Sequence, residues 1–105
     1  MITDAAGLLA AAALKTEKIV VRGSELLIRE LSLAGRDAFV TAVRDNPTAA
    51  AVCVILHGVV CPDTKAPLLT QDQAAGLAEA SADFVQDLTK AILKLSGLGD
   101  EAKNE

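Results

Sequence analysis

The chain has 105 residues and a formal net charge of −4, a length suited to one domain and an acidic balance that repels nucleic-acid backbones and anionic lipid. Apolar residues make up 51% of it but aromatic ones only 2%, with no Trp and no Tyr. The core must therefore be built from Ala, Leu, Val and Ile, no base-stacking platform is expected, and neither nucleic acid nor a membrane is an expected partner.

The N-terminus, MITDAAGLLAAAALK, carries Asp4 where a signal peptide has Lys or Arg. Its apolar run falls short of the roughly 20 residues that span a bilayer. A cytoplasmic protein is expected, and two cysteines are too few for a disulfide framework. Thr3 or Asp4 caps a first helix over about 4–14, too short to hold without docking and so expected to be mobile. Next, EKIVVRGSELLIREL gives two runs of period two, read as a β-hairpin with strands about 18–22 and 25–31. Gly23-Ser24 fits a two-residue type II′ turn.

Ser32 reads as the N-cap of a helix that places Leu33, Phe39, Val40 and Val43 inward. Asn46 ends it, since a residue before proline avoids helical angles. Asn46 then caps a helix opened by Pro47. This helix, about 48–60, is apolar nearly all round. The chain is too short to cover it, so self-association is expected. Val59–Leu69 reads as a proline-punctuated connection that turns at Asp63-Thr64-Lys65, with short extended flanks. Thr70 and Gln73 form a capping-box pattern. The segment 71–96 that follows has an apolar stripe of Leu77, Phe84, Val85, Leu88, Ile92 and Leu95. Gly76 and Ser81 weaken it, so it is one helix or two that meet near Ser81, ending at Gly97. A polar, flexible tail spans 97–105. The fold class expected is α+β: a single, mostly helical small domain over 1–105, with one N-terminal β-hairpin packed on four to five helices.

Cys53, His57 and Cys61 are the one candidate metal constellation. On a continuous helix their spacing puts them on one stripe, and thiolate and imidazole are zinc ligands. A closed site needs a fourth ligand, and the chain has no further Cys or His. Core packing is the reading preferred, with no metal and no cofactor expected. A Cys53–Cys61 disulfide requires the helix to end before Cys61. Glu79, Asp83 and Asp87 read as a solvated acidic stripe. His57 lies inside an apolar helix and Gly23, Gly35 and Gly58 stand alone, so nothing points to an enzyme.

Several stretches, taken in order, resemble the tail assembly chaperones of long-tailed bacteriophages and prophages. They are the short Ala/Leu helix, the second hairpin strand running into Leu27–Ser32, and GRDAF at Gly35–Phe39. An apolar helix, a Leu69-Thr70-Gln71-Asp72 helix start, and an Ala/Leu helix ending in LSGLG at Leu95–Gly99 complete the set. Gly35 stands where a capping Glu is usual, and Lys65-Ala66 replaces a Gly-Lys turn. The resemblance implies a non-enzymatic protein that binds the tape measure protein during tail building, helps recruit tail tube subunits, self-associates and leaves before the virion is complete. It also implies, for many members, a longer form made by a −1 ribosomal frameshift. The run Ala102-Lys103-Asn104 is compatible with a slippery codon heptamer. A small helical adaptor or regulatory subunit of a cellular complex is the alternative from another class. A metal- or thiol-dependent protein using Cys53, His57 and Cys61 is a third.

Overall fold

The computed structural model describes residues 1–98. Along them run α1 (Ala5–Ala11), β1 (Thr16–Val21), β2 (Ser24–Arg29), α2 (Leu33–Asp45), α3 (Pro47–Gly58), β3 (Val59–Val60), α4 (Gln71–Ala75) and α5 (Ala82–Leu95), with a 3₁₀ turn at Gly76–Glu79. The architecture is the expected small α+β fold. The expected flexible tail, apart from Gly97 and Leu98, and the Ala102-Lys103-Asn104 run lie outside the described residues.

Local capping chemistry places most helix ends. Each cap satisfies backbone N–H groups that the first turn leaves without a partner. The Asp4 carboxylate accepts from Gly7 N–H at 2.7 Å. The Ser32 hydroxyl accepts from Gly35 N–H at 3.0 Å, and the Asn46 side chain from Thr48 N–H at 3.0 Å. Thr70 and Gln73 close a reciprocal capping box, with Gln73 N–H to the Thr70 hydroxyl at 3.2 Å and Thr70 N–H to Gln73 Oε1 at 2.9 Å. Segment 71–96 is broken as Ser81 suggested, and Ser81 caps α5. At the far end Gly97 takes φ +78°. Leu98 N–H then reaches the Leu93 carbonyl at 2.8 Å and Gly97 N–H the Lys94 carbonyl at 3.0 Å, a Schellman motif.

The strands depart from expectation in register and number. The hairpin pairs Val21 with Ser24 and Ile19 with Leu26. The loop is thus Arg22-Gly23, with φ of 53° and 80°. Positive φ at both central residues is the type I′ pattern, not II′. The pairing shifts by two residues, so each side chain keeps its face. Arg22 holds a left-handed backbone because its side chain is tied down. Its Nη2 donates to the Ser81 hydroxyl at 2.8 Å, and its guanidinium lies 5.9 Å from the Phe84 ring centroid.

β3 adds a third antiparallel strand beside β2, pairing Ile28 with Val59 and Leu27 with Val60. The expected helix 48–60 therefore stops at Gly58. The turn that follows folds back on β3, with Cys61 N–H to the Ala66 carbonyl at 2.9 Å and Leu68 N–H to the Val59 carbonyl at 3.0 Å. In it Lys65 has φ +61°, the position where the resemblance has glycine. A left-handed non-glycine residue costs roughly 1–2 kcal/mol. Lys65→Gly, losing only an exposed Nζ bond to the Pro62 carbonyl, is expected to raise stability by about 1 kcal/mol, read as a higher urea midpoint; a lower midpoint would contradict it.

The core lies between one sheet face and the helices α3 and α5. Ile28, Val54, Ile55, Val59, Val85, Leu88 and Ile92 form it with Leu31. Val85, Leu88 and Ile92 are the buried members of the expected apolar stripe, and Leu77, Phe84 and Leu95 pack against the core half-buried. α3 is the hub, packing against α2, α4, α5, the 3₁₀ turn and both neighbouring strands, and that explains an apolar surface on nearly every side. Contact is closest at its end. A Cβ added to Gly58 would lie 2.6 Å from Ile92 Cγ2 and 2.7 Å from its Cδ1. Arg29 fastens the same end, its Nη2 donating to the His57 carbonyl at 3.0 Å.

Candidate protein-binding surfaces

α2 does not present the face its sequence suggests. Leu33, Val40 and Val43, expected inward, are exposed. Phe39 faces inward as expected, and the helix packs through it together with Gly35 and Ala42, spaced i, i+4, i+7, of which Gly35 is buried. The reason is close approach. A Cβ on Gly35 would sit 3.3 Å from the His57 ring, so a residue without a side chain lets α2 lie against α3. Gly35 thereby has a packing role.

This seating leaves a groove over α3. On its floor are Ala49, Val52, Cys53 and Leu56, spaced i, i+3, i+4, i+7, with His57 beyond them. Ala38 of α2 forms one wall, and Ala74, Ala75 and Ala78 form the other. The space is about 480 Å³, and among the described residues no Asp, Glu, Lys or Arg lines it. Small side chains on both walls allow a helical backbone to come close, and an uncharged floor favours an apolar stripe: the requirements of helix-in-groove docking.

The candidate metal residues are not brought together. Cys53 and His57 stand on successive turns of α3, whereas Cys61 lies past the helix end, after β3. Among the described residues no group of three or more His, Cys, Asp or Glu is placed to hold a metal ion. Both thiols are free, and they differ in chemistry. The backbone N–H groups of Thr64 and Asp63, with the Thr64 hydroxyl, point to the Cys61 sulfur and lower its pKa. Burial pushes that of Cys53 up. The thiolate is the nucleophile, so iodoacetamide at about pH 7.5 should label Cys61 several-fold faster than Cys53; the reverse order by peptide mapping would contradict this assignment.

The expected acidic stripe is divided. Glu79 belongs to the 3₁₀ turn, on the other side of the Ser81 break from Asp83 and Asp87 of α5, and all three are exposed. Among the described residues no helix is long and apolar enough to cross a membrane. Reading the sequence did not single out the groove walls. Ala38, Ala74, Ala75 and Ala78 are small residues at helical positions, and an alanine carries the same local signal on a wall as on an open face.

No family model and no curated protein matches the sequence. Among solved structures, the chain is similar to the tail assembly chaperone of bacteriophage HK97, with a TM-score of 0.67 at 22% sequence identity. The match covers 84% of this chain and 89% of that one. The two share a fold, the one that the motif order in the sequence had suggested.

Proposed function

We propose that this protein is a phage tail assembly chaperone that acts by binding other polypeptides, not by catalysis. The observation that carries the reading is a fold shared with a tail assembly chaperone in which an uncharged apolar groove lies open over the central helix. Its client is the tape measure protein, whose long apolar helices it keeps soluble in the host cytoplasm while the tail is built. The groove between α2 and α4 takes one apolar stripe of such a helix. The chaperone also helps recruit tail tube subunits, through a longer frameshifted form. It self-associates, and it is not kept in the finished virion.

Physical chemistry supports a lending surface of this kind. Alanine-lined walls hold a helix by area and shape, with few large anchors, and such contacts are released readily. Co-expression tests the reading. The tape measure protein encoded with this chain should move from the insoluble to the soluble fraction when both are made together, and the two should co-purify. A tape measure protein that stays insoluble at equal expression would refute the proposal. Codons at Ala102-Lys103-Asn104 that exclude the slippery heptamer would remove the frameshifted form at that place.

A further inference from the structure

α2 packs against α3 through one face, and its opposite face is left to solvent. Along that outer face Leu33, Asp37, Val40 and Arg44 follow at i, i+4, i+7 and i+11, which lines them up as one seam of the helix. All four are exposed, Leu33 at 79% and Val40 at 46%. Arg36 and Asp45 stand on opposite flanks of the seam, outside it.

The two charges of the seam have no ionic partner in their own chain. Among the described residues the one ion pair is Lys18 with Glu25. Asp37 and Arg44 stand at i and i+7, whereas oppositely charged side chains pair along a helix at i+3 or i+4. A seam that reads apolar, acidic, apolar, basic is complementary to its own reverse. When two copies lie antiparallel about a two-fold axis between positions 40 and 41, Asp37 of each falls opposite Arg44 of the other, and the two Val40 side chains meet at the axis. Other arrangements fail on charge. A parallel pair sets Asp37 against Asp37 and Arg44 against Arg44, and like charges across an interface repel. Sliding the antiparallel pair by one turn sets Asp37 against Val40 and Arg44 against Leu33, which covers both charges without a partner.

We infer that two copies of this protein form a two-fold dimer through the outer faces of their α2 helices, held in register by the reciprocal Asp37–Arg44 contacts. The inference rests on the self-association proposed above and names the surface that makes it. One helix of 13 residues per copy gives an interface at or below the roughly 1,200 Å² where stable complexes begin, so the dimer forms and parts with concentration. Ala38, the α2 wall of the helical groove, is not on the seam.

Charge reversal tests the contact. Asp37→Arg and Arg44→Asp each turn both reciprocal pairs into like-charge contacts. Sedimentation of the full chain should show dimerisation weakened by at least about tenfold in each, with an unaltered circular dichroism spectrum. An equimolar mixture of the two variants sets opposite charges together again and should dimerise within about threefold of wild type, as should the chain that carries both changes. In chains with Cys53→Ser and Cys61→Ser, mild oxidation should give a covalent dimer through Val40→Cys. It should give none through Leu33→Cys, whose two copies lie roughly 22 Å apart along the helix axis at about 1.5 Å per residue. Dimerisation undiminished by the charge reversals, or a mixture no stronger than its components, would overturn the α2 contact while leaving self-association standing. Equal cross-linking through Leu33→Cys would overturn the antiparallel register. Wild-type chain that sediments only as monomer would overturn self-association itself, and the α2 dimer with it.

Discussion

Ile92→Ala is expected to remove about 2–5 kcal/mol of folding stability, a large part of the roughly 5–15 kcal/mol that holds a small domain together. Ile92 is fully buried and meets the sheet, α3 and the rest of α5 within one cluster. Its Cγ2 and Cδ1 occupy the space in front of Gly58. Gly58→Ala alone adds a methyl group where a fixed side chain already stands, and overpacking of this kind costs about 1–3 kcal/mol. The two changes are therefore coupled. In the Ile92→Ala background the new methyl enters the emptied volume, and alanine is also the better helix former by up to about 1 kcal/mol. There Gly58→Ala should be neutral or stabilising, giving a coupling energy of at least about 1 kcal/mol. Urea midpoints of the four proteins, at equal slopes, read the cycle. Additive costs would mean that α5 and α3 do not meet in this way.

If the proposed function holds, placing a carboxylate in the helical groove should abolish client binding without unfolding the protein. Ala49 on its floor and Ala75 on one wall line it and are both exposed, so Glu is accommodated in the free protein, with a melting temperature within a few degrees of wild type. Once a client helix covers the groove, the new charge is buried with no Lys or Arg among the described lining residues to pair with. That penalty is several kcal/mol, and each 1.4 kcal/mol is tenfold in affinity. The amount of soluble tape measure protein in co-expression should fall by at least tenfold with Ala49→Glu plus Ala75→Glu. Leu33→Glu, on the exposed side of α2, should leave it unchanged. If Leu33→Glu abolishes binding and the groove variant does not, the client lies along the outer stripe of α2.

Features that depend on neighbours in sequence were legible before the structure. Ser32, Asn46-Pro47, Thr70 with Gln73, Ser81 and Gly97 each end or begin a helix by chemistry confined to four or five residues. Features decided by distant contacts were not. The hairpin loop falls one residue early because Arg22, a poor choice for a positive φ, is held by Ser81 and Phe84. A short extended flank at the start of Val59–Leu69 was expected, but the pairing of β3 beside β2 was not, since β3 is 2 residues long and continues an apolar helical run that periodicity cannot separate from it. On α2 Phe39 was placed inward correctly, but Leu33, Val40 and Val43 were misassigned because large apolar side chains outweigh a glycine in any pattern, although the glycine makes the contact. The groove is the extreme case. The apolar character of α3 was plain, whereas which side stays open is set by where α2 and α4 come to rest.

The bond from Leu31 N–H to the Ser96 hydroxyl, at 2.8 Å, spans 65 positions, and that from Arg22 to Ser81 spans 59. Chains emerge from the ribosome N-terminus first, so the hairpin and the hub helix are made long before α5 arrives to close them. During translation Ile28 and Val59 wait uncovered, and a ribosome that stalls or terminates before Ser81 releases a polypeptide with its own sticky interior on display. Trimming the first dozen residues should be tolerated by the fold, whereas trimming the last two dozen should not.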